Sequence, residues 1–162
     1  MRLAPLALVP RSVLAIAREI GRHVLRHPVV GIAAAAHTED GRWLLIRRAD
    51  TGTWCLPGGT LEWGETLRSA VAREIAEETG ARLTQIERLI GIYSLPSRDT
   101  RFHAVTTVVR VLVDAAHLKP DNPLEIREAK LFSVDEIPYP LAFACDDMMR
   151  DAIANNPQAI LE

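Results

Sequence analysis

The chain has 162 residues, 48% of them apolar, with 19 Lys and Arg against 21 Asp and Glu and a net charge of −2. That length suits one domain with a sizeable core, and the balanced charge excludes a protein built around nucleic acid, since no broad cationic surface follows. No apolar run reaches the roughly 20 residues of a membrane span, and Cys55 and Cys145, far apart and without metal-ligand spacing, read as free thiols of a reducing compartment.

Met1 to Val9 is apolar but short, and Pro5 and Pro10 break it, so a cleaved signal peptide is not expected and the cytoplasm is. Ser12 to His27 reads as an amphipathic helix, with Val13, Ile16, Ala17, Ile20 and Val24 on one face and Arg18, Arg22, His23 and Arg26 around the other. Its basic face could meet an anionic lipid, a nucleic acid or a polyphosphate. The duller alternative packs its weak apolar stripe on the domain or on a second subunit.

Val29 to His37 reads as a buried strand, Asp40-Gly41 as a hairpin turn and Trp43 to Arg48 as the return strand. A polar loop over 50–54 leads into Leu56-Pro57-Gly58-Gly59. A helix then runs through Leu67, Ala70, Val71 and Ile75 to Gly80, a natural left-handed stop. Leu89 to Tyr93, Ala104 to Val113 and Ala129 to Phe132 read as strands, Asp135 to Pro138 as a turn, and Ala144 to Ala154 as a closing helix. Strands interleaved with helices predict an α/β fold with helices on both faces of a sheet. The expected organisation is an extension over 1–27, a domain over 28–155 and a tail over 156–162.

The last turn of the helix before Gly80 needs explaining. Glu74, Glu77 and Glu78 stand at i, i+3 and i+4, which places three carboxylates within about 100° of arc and roughly 6 Å of axis. They also sit at the negative end of the macrodipole, where each acid loses roughly 0.3–1 kcal/mol and like pairs lose more. Local stability would place Lys or Arg there. A solvated acidic face is the bland alternative. Against it stands the preceding Gly58-Gly59 loop, whose backbone can approach a ligand closely.

Gly59, five residues, Glu65, seven residues and then Arg73-Glu74-Ile75-Ala76-Glu77-Glu78-Thr79-Gly80 closely resembles the Nudix box, with Ala81 standing where a larger aliphatic residue is usual. The resemblance implies an α/β/α sandwich around a mixed sheet, and hydrolysis of a nucleoside diphosphate linked to another group. It implies Mg²⁺, or Mn²⁺, held by Glu74, Glu77, Glu78 and the Gly59 carbonyl. Clustered carboxylates also select such hard cations on chemical grounds. Gly58, Glu65 and Arg73 would support the site, with Arg73 orienting a carboxylate rather than touching substrate. The water-activating base, expected from the box or a late loop, would be Glu77, Glu78 or Glu125. Glu125 is preferred, although Glu125 and Glu128 could equally be two solvated loop acids.

Tyr93-Ser94-Leu95-Pro96-Ser97-Arg98-Asp99-Thr100-Arg101-Phe102-His103 resembles a stretch of the ADP-ribose pyrophosphatases of this family. Leu95 replaces a common Asp, and Phe102 a common Gly. Leu141-Ala142-Phe143-Ala144-Cys145 resembles their Leu-Ala-Phe-Asp-His tail, with Ala-Cys for Asp-His. The implied substrate is ADP-ribose or a nucleoside-diphosphate sugar, met by Arg98, Arg101, His103 and Phe102, with Arg47 and Trp54 as further pocket candidates. Phe143 reads mainly as core. The alternatives are a hydrolase that sanitises nucleoside triphosphates and a non-catalytic nucleotide sensor. Expected partners are a small nucleotide and, as similar hydrolases are often homodimers, a second copy; no nucleic acid or membrane is expected.

Overall fold

The structure, a computed structural model, describes residues 27–162 together with Ile16 and Gly21. The expected helix over 12–27 therefore lies almost wholly outside the described residues. Within residues 27–162 there are eight strands and two α-helices: β1 (Val29–His37), β2 (Trp43–Arg48), β3 (Trp54–Cys55), β4 (Gly58–Thr60), α1 (Leu67–Thr79), β5 (Arg82–Tyr93), β6 (Ala104–Asp114), β7 (Ile126–Phe132), α2 (Cys145–Ala154) and β8 (Ile160–Leu161).

The strands form one mixed sheet in the order β3-β2-β1-β6-β5-β8, with β4 paired to β1 and β7 to β2. β1 and β6 are parallel over nine registered pairs, from Val29–Ala104 to His37–Leu112. Alternation along β1 divides the core. Ile32, Ala34 and Ala36 face Ala70, Val71 and Ile75 of α1, while Ala33 and Ala35 share the other layer with Met148, Met149 and Ala152 of α2. The alanines of β1, weak strand formers taken alone, let both helices approach the sheet closely. The result is the α/β/α sandwich expected from the sequence.

One strand runs longer than its apolar core. β5 begins at Arg82, seven residues before Leu89, because its largely exposed polar half still pairs with β6, with register shifts at Leu83/Gln85 and Ile86/Arg88. The segment 156–162 is not a free tail. Ile160–Leu161 adds a parallel strand to β5, with Gly91 opposite Ile160. Two such exposed residues carry no readable period, and pairing with a distant edge decides their conformation.

β1 changes partner along its length. Ala36 and His37 pair with β2, whereas Gly31, Ile32 and Ala33 pair with β4, and Ala34 N–H donates to the Pro57 carbonyl between them. That division opens a cleft between β2–β7 and β4–α1. Among the described residues, no helix is long and apolar enough to cross a membrane.

Candidate active site

α1 begins with Thr66, whose hydroxyl accepts from the Ser69 N–H, a cap worth about 1 kcal/mol. Its acidic end is compensated from elsewhere. The Glu77 and Thr79 carbonyls accept from the Asp121 and Lys119 N–H groups, and Gly80 N–H returns to Ala76. Gly80 has φ +74°, and a Cβ there would sit 2.7 Å from Lys119 N, so the loop can close on the helix only over glycine.

Arg73 reaches four partners. Its Nε and Nη2 donate to the two Glu65 carboxylate oxygens at 2.9 and 3.0 Å, Nη1 donates to Glu74 at 2.9 Å and to Glu77 at 3.2 Å, and Nη2 also reaches the Thr60 carbonyl. It orients three acids and holds Glu65 below the usual carboxylate range. Gly59 packs against the same group: a Cβ on Gly59 would lie 2.2 Å from Glu74 Oε1. Glu78 is 6% exposed, and its Oε2 accepts from Gly58 N–H at 2.7 Å. Burial is the main cause that pushes its carboxyl up to about 8; the Gly58 hydrogen bond opposes this, and the Glu74 and Glu125 charges add to it. Burial raises Glu74 too, against the Arg73 contact.

Glu74, Glu77, Glu78 and Glu125 line one small cleft with Asp121 and Asn122. The donors are hard oxygens, which suits Mg²⁺ or Mn²⁺ and excludes soft-metal chemistry. Among the described residues no three Asp, Glu, His or Cys side chains stand in closed ligand geometry, since Arg73 draws Glu74 and Glu77 while Gly58 holds Glu78. The donor set, all carboxylate and carbonyl oxygens, fits a hard divalent ion.

Glu74, Glu78 and Glu125 also line a second cavity, of about 340 Å³, within the range of small-molecule sites. Glu125 is fixed there by its carbonyl, which accepts from Ala49 N–H. A bulge helps to place it: β7 shifts register between the pairs Arg47–Glu128 and Arg48–Ile126.

The arginines divide sharply. Arg48 and Arg101 line the cavity with Phe102 and Phe143. Each is clasped by an aspartate two residues away. Arg48 donates through Nε and Nη2 to Asp50 at 2.9 and 2.8 Å, and Arg101 through the same nitrogens to Asp99 at 3.0 and 2.7 Å. Arg98 borders the cavity but is spent. Its Nε donates to Glu162, Nη1 to the Ala144 carbonyl at 2.8 Å, and Nη2 to Glu162 and Asp147, while its plane stacks on Tyr93. It is a clasp between the C-terminal strand and the turn before α2.

Arg47 and His103 do not reach the cavity, contrary to expectation. Arg47 lies on the opposite side of β2 from Arg48 and donates to the Gly52 carbonyl at 3.0 Å. His103 Nε2 donates to the Ser94 carbonyl at 2.8 Å, tying down the loop ahead of β6. Trp54 packs edge-on against Phe132 at 4.9 Å, which makes it structural. Phe143, expected in the core, is only partly buried and carries both pocket guanidiniums on its ring. Of the arginines at the cavity, only Arg48 went unrecognised in the sequence. Strand alternation shows that only one of Arg47 and Arg48 can face the site, but not which.

A strand-split mixed sheet with a carboxylate-rich helix end beside a cationic pocket defines a hydrolase of phosphate anhydrides. The chain matches the NUDIX domain family over residues 25–152 and belongs to it; it is a Nudix hydrolase. It is 37% identical over 128 residues to an ADP-ribose pyrophosphatase of Methanocaldococcus jannaschii, a match covering 77% of this chain and 73% of that protein. It is 52% identical over 69 residues to a MutT-like protein of Streptomyces ambofaciens, covering 43% of this chain and 44%, less than half, of that one. The crystal structure of a MutT Nudix hydrolase from Burkholderia pseudomallei superposes with a TM-score of 0.68 at 31% identity, covering 78% of this chain and 98% of that one. Other relatives carry the names of hydrolases of 8-oxo-dGTP, of mRNA caps and of NAD-capped RNA.

Proposed function

We propose that this chain hydrolyses ADP-ribose, or a closely related nucleoside-diphosphate sugar, to AMP and a sugar phosphate. The observation that carries the reading is the joining of Glu74, Glu78 and Glu125 with Arg48, Arg101 and Phe102 in one cavity. A diphosphate needs cations on one side and a water-activating acid cluster on the other. The resemblance of 37% to an ADP-ribose pyrophosphatase supports the same substrate class.

Glu74, Glu77, Glu78 and the Gly59 carbonyl would hold Mg²⁺ or Mn²⁺. When bound, the ion neutralises diphosphate charge and acidifies water. Arg48 and Arg101 turn their unpaired guanidinium edges to the phosphates, and Phe102 gives a flat apolar wall for a base or ribose. Arg73 keeps Glu65, Glu74 and Glu77 in register. Glu125, anchored through its backbone at the rim of both cavities, takes the proton from the attacking water.

A nucleotide panel with Mg²⁺ tests the reading: AMP and ribose 5-phosphate are expected from ADP-ribose. Release of no AMP from ADP-ribose or any nucleoside-diphosphate sugar overturns it. The 38% identity over 65 residues to a Bacillus subtilis protein that carries the name of an 8-oxo-dGTP diphosphatase favours one competitor, a nucleoside triphosphate pyrophosphohydrolase. That enzyme would release inorganic pyrophosphate and a monophosphate in the same panel.

A further inference from the structure

We infer that Phe143 is a positioning residue, whose ring fixes Arg48 and Arg101 as a matched pair of cations for the two phosphates of a diphosphate. The proposal rests on the substrate reading above and deepens it.

The ring sits beside two guanidiniums. The Arg48 Cζ lies 5.3 Å from its centroid and the Arg101 Cζ 4.4 Å. Arg101 also stacks on Phe102 at 5.1 Å, so its plane is held from two directions. Cation–π contact of this kind fixes the orientation of a guanidinium without using its N–H donors. The remaining constraint on each arginine is its fork to Asp50 or Asp99, made through Nε and Nη2. Among the described residues neither Nη1 donates to the protein, and no buried side-chain polar atom lacks a partner. Arg101 is an exposed residue and the Arg48 Nη1 is not sealed from solvent, so both Nη1 groups keep donors for a ligand. Arg98, with every guanidinium nitrogen engaged, offers no such edge.

The backbone that presents the ring is unusual. Phe143 has φ 56° and ψ 32°, and Ala144 follows with φ 50° and ψ 36°, two successive non-glycine residues in the left-handed region. Bulky residues adopt that region only where surroundings enforce it. Here Arg98 Nη1 holds the Ala144 carbonyl at 2.8 Å, and Asp146 accepts from Leu141 N–H at 3.1 Å. A right-handed turn at these positions would direct the Phe143 ring elsewhere. The fold thus keeps a strained turn whose product is a ring wedged beside two pocket cations.

The test compares the wild-type chain with Phe143→Leu and Phe143→Tyr, each also in an Arg48→Gln background. Steady-state hydrolysis of ADP-ribose with Mg²⁺ and metal-free calorimetric binding of inorganic pyrophosphate supply two independent readouts. The expected result for Phe143→Leu is a roughly tenfold rise in KM and in pyrophosphate Kd, with kcat within about twofold. Phe143→Tyr, which keeps the aromatic face, restores both. In the Arg48→Gln background the leucine change has a smaller effect, because only Arg101 remains for the ring to position. An unchanged pyrophosphate Kd in Phe143→Leu overturns the inference, as does an equal effect in the two backgrounds. Should the leucine variant not fold, Phe143→Met takes its place under the same criteria. If ADP-ribose is not hydrolysed at all, the substrate reading fails, and the pyrophosphate titrations still decide the role of Phe143.

Discussion

Replacing Glu78 by glutamine should make the metal-free protein more stable and nearly inactive. The carboxyl has an ordinary value of 4.5 and is raised to about 8 in the fold, chiefly by burial. Below about pH 4.5 both folded and unfolded chains hold the proton, and the group costs nothing. Between 4.5 and 8 the unfolded chain releases its proton while the folded chain retains it, so stability falls as pH rises. Above 8 the loss is complete. At about 1.4 kcal/mol per tenfold difference in proton affinity, the full separation amounts to roughly 4–5 kcal/mol. Relaxation and entry of water reduce the gain to roughly 2–3 kcal/mol, or about 5–10 °C in Tm for a chain of this size. Glutamine keeps an oxygen to accept from Gly58 N–H, so that hydrogen bond survives. The assay is urea or thermal unfolding in EDTA at pH 5 and pH 8.5, repeated with Mg²⁺. The gain should appear at pH 8.5, shrink toward zero at pH 5, and be offset in Mg²⁺, which stabilises the wild type alone. Turnover should fall by at least about 100-fold. A Glu78→Gln protein less stable than wild type at pH 8.5 without metal would refute the view that this acid is held in place against its own preference.

Three further changes probe the frame around that acid. Gly59→Ala drives a Cβ into the Glu74 carboxylate, 2.2 Å from Oε1; we expect a loss of about 1–3 kcal/mol in urea unfolding, together with a weakened Mg²⁺ response. Gly80→Ala meets both a φ of +74° and the Lys119 backbone at 2.7 Å, and should lose about 2 kcal/mol or more in the same measurement. Glu162 is held down to about 2 by Arg98 and by the Leu95 and Ser94 N–H groups. Its contribution is therefore present above pH 4.5 and lost as pH falls through about 2. Glu162→Gln should cost about 1 kcal/mol at pH 7, and the gap from wild type should close on acidification toward pH 2.

The acid turn was legible because helical spacing is local: three glutamates in five residues, a loop of two glycines before them and a terminating glycine after. The sheet was legible where side chains alternate or run apolar, as in β2 and β6. The arginines were not. Arg47 and Arg48 are neighbours of the same chemistry, and the one that faces the pocket lies beside a register shift against a strand some 80 residues later. Arg98 looked like a phosphate ligand because the residue that occupies it, Glu162, is 64 positions away. Phe143 looked like core because nothing nearby in sequence announces two left-handed residues in succession. In each case a partner distant in sequence decides the role, and pattern within a short window carries no information about it.

The compensation around α1 explains how so costly a cluster can persist. A bare helix would resist Glu74, Glu77 and Glu78 at its negative end. Here the last carbonyls are taken up by Lys119 and Asp121 N–H groups, which blunts the negative end without any positive side chain in the last turn. The Arg73 guanidinium, which pairs with Glu74 and Glu77, comes from the preceding turn and lies on their flank, shared with Glu65. A lysine or arginine in the final turn would have stabilised the helix more cheaply, but would have occupied the cleft itself. Satisfying the helix end with backbone donors, and confining the one cation to the side, leaves the carboxylate oxygens of Glu74, Glu78 and Glu125 facing a cavity. On the proposed function, a divalent cation entering that cavity would recover the stability forgone.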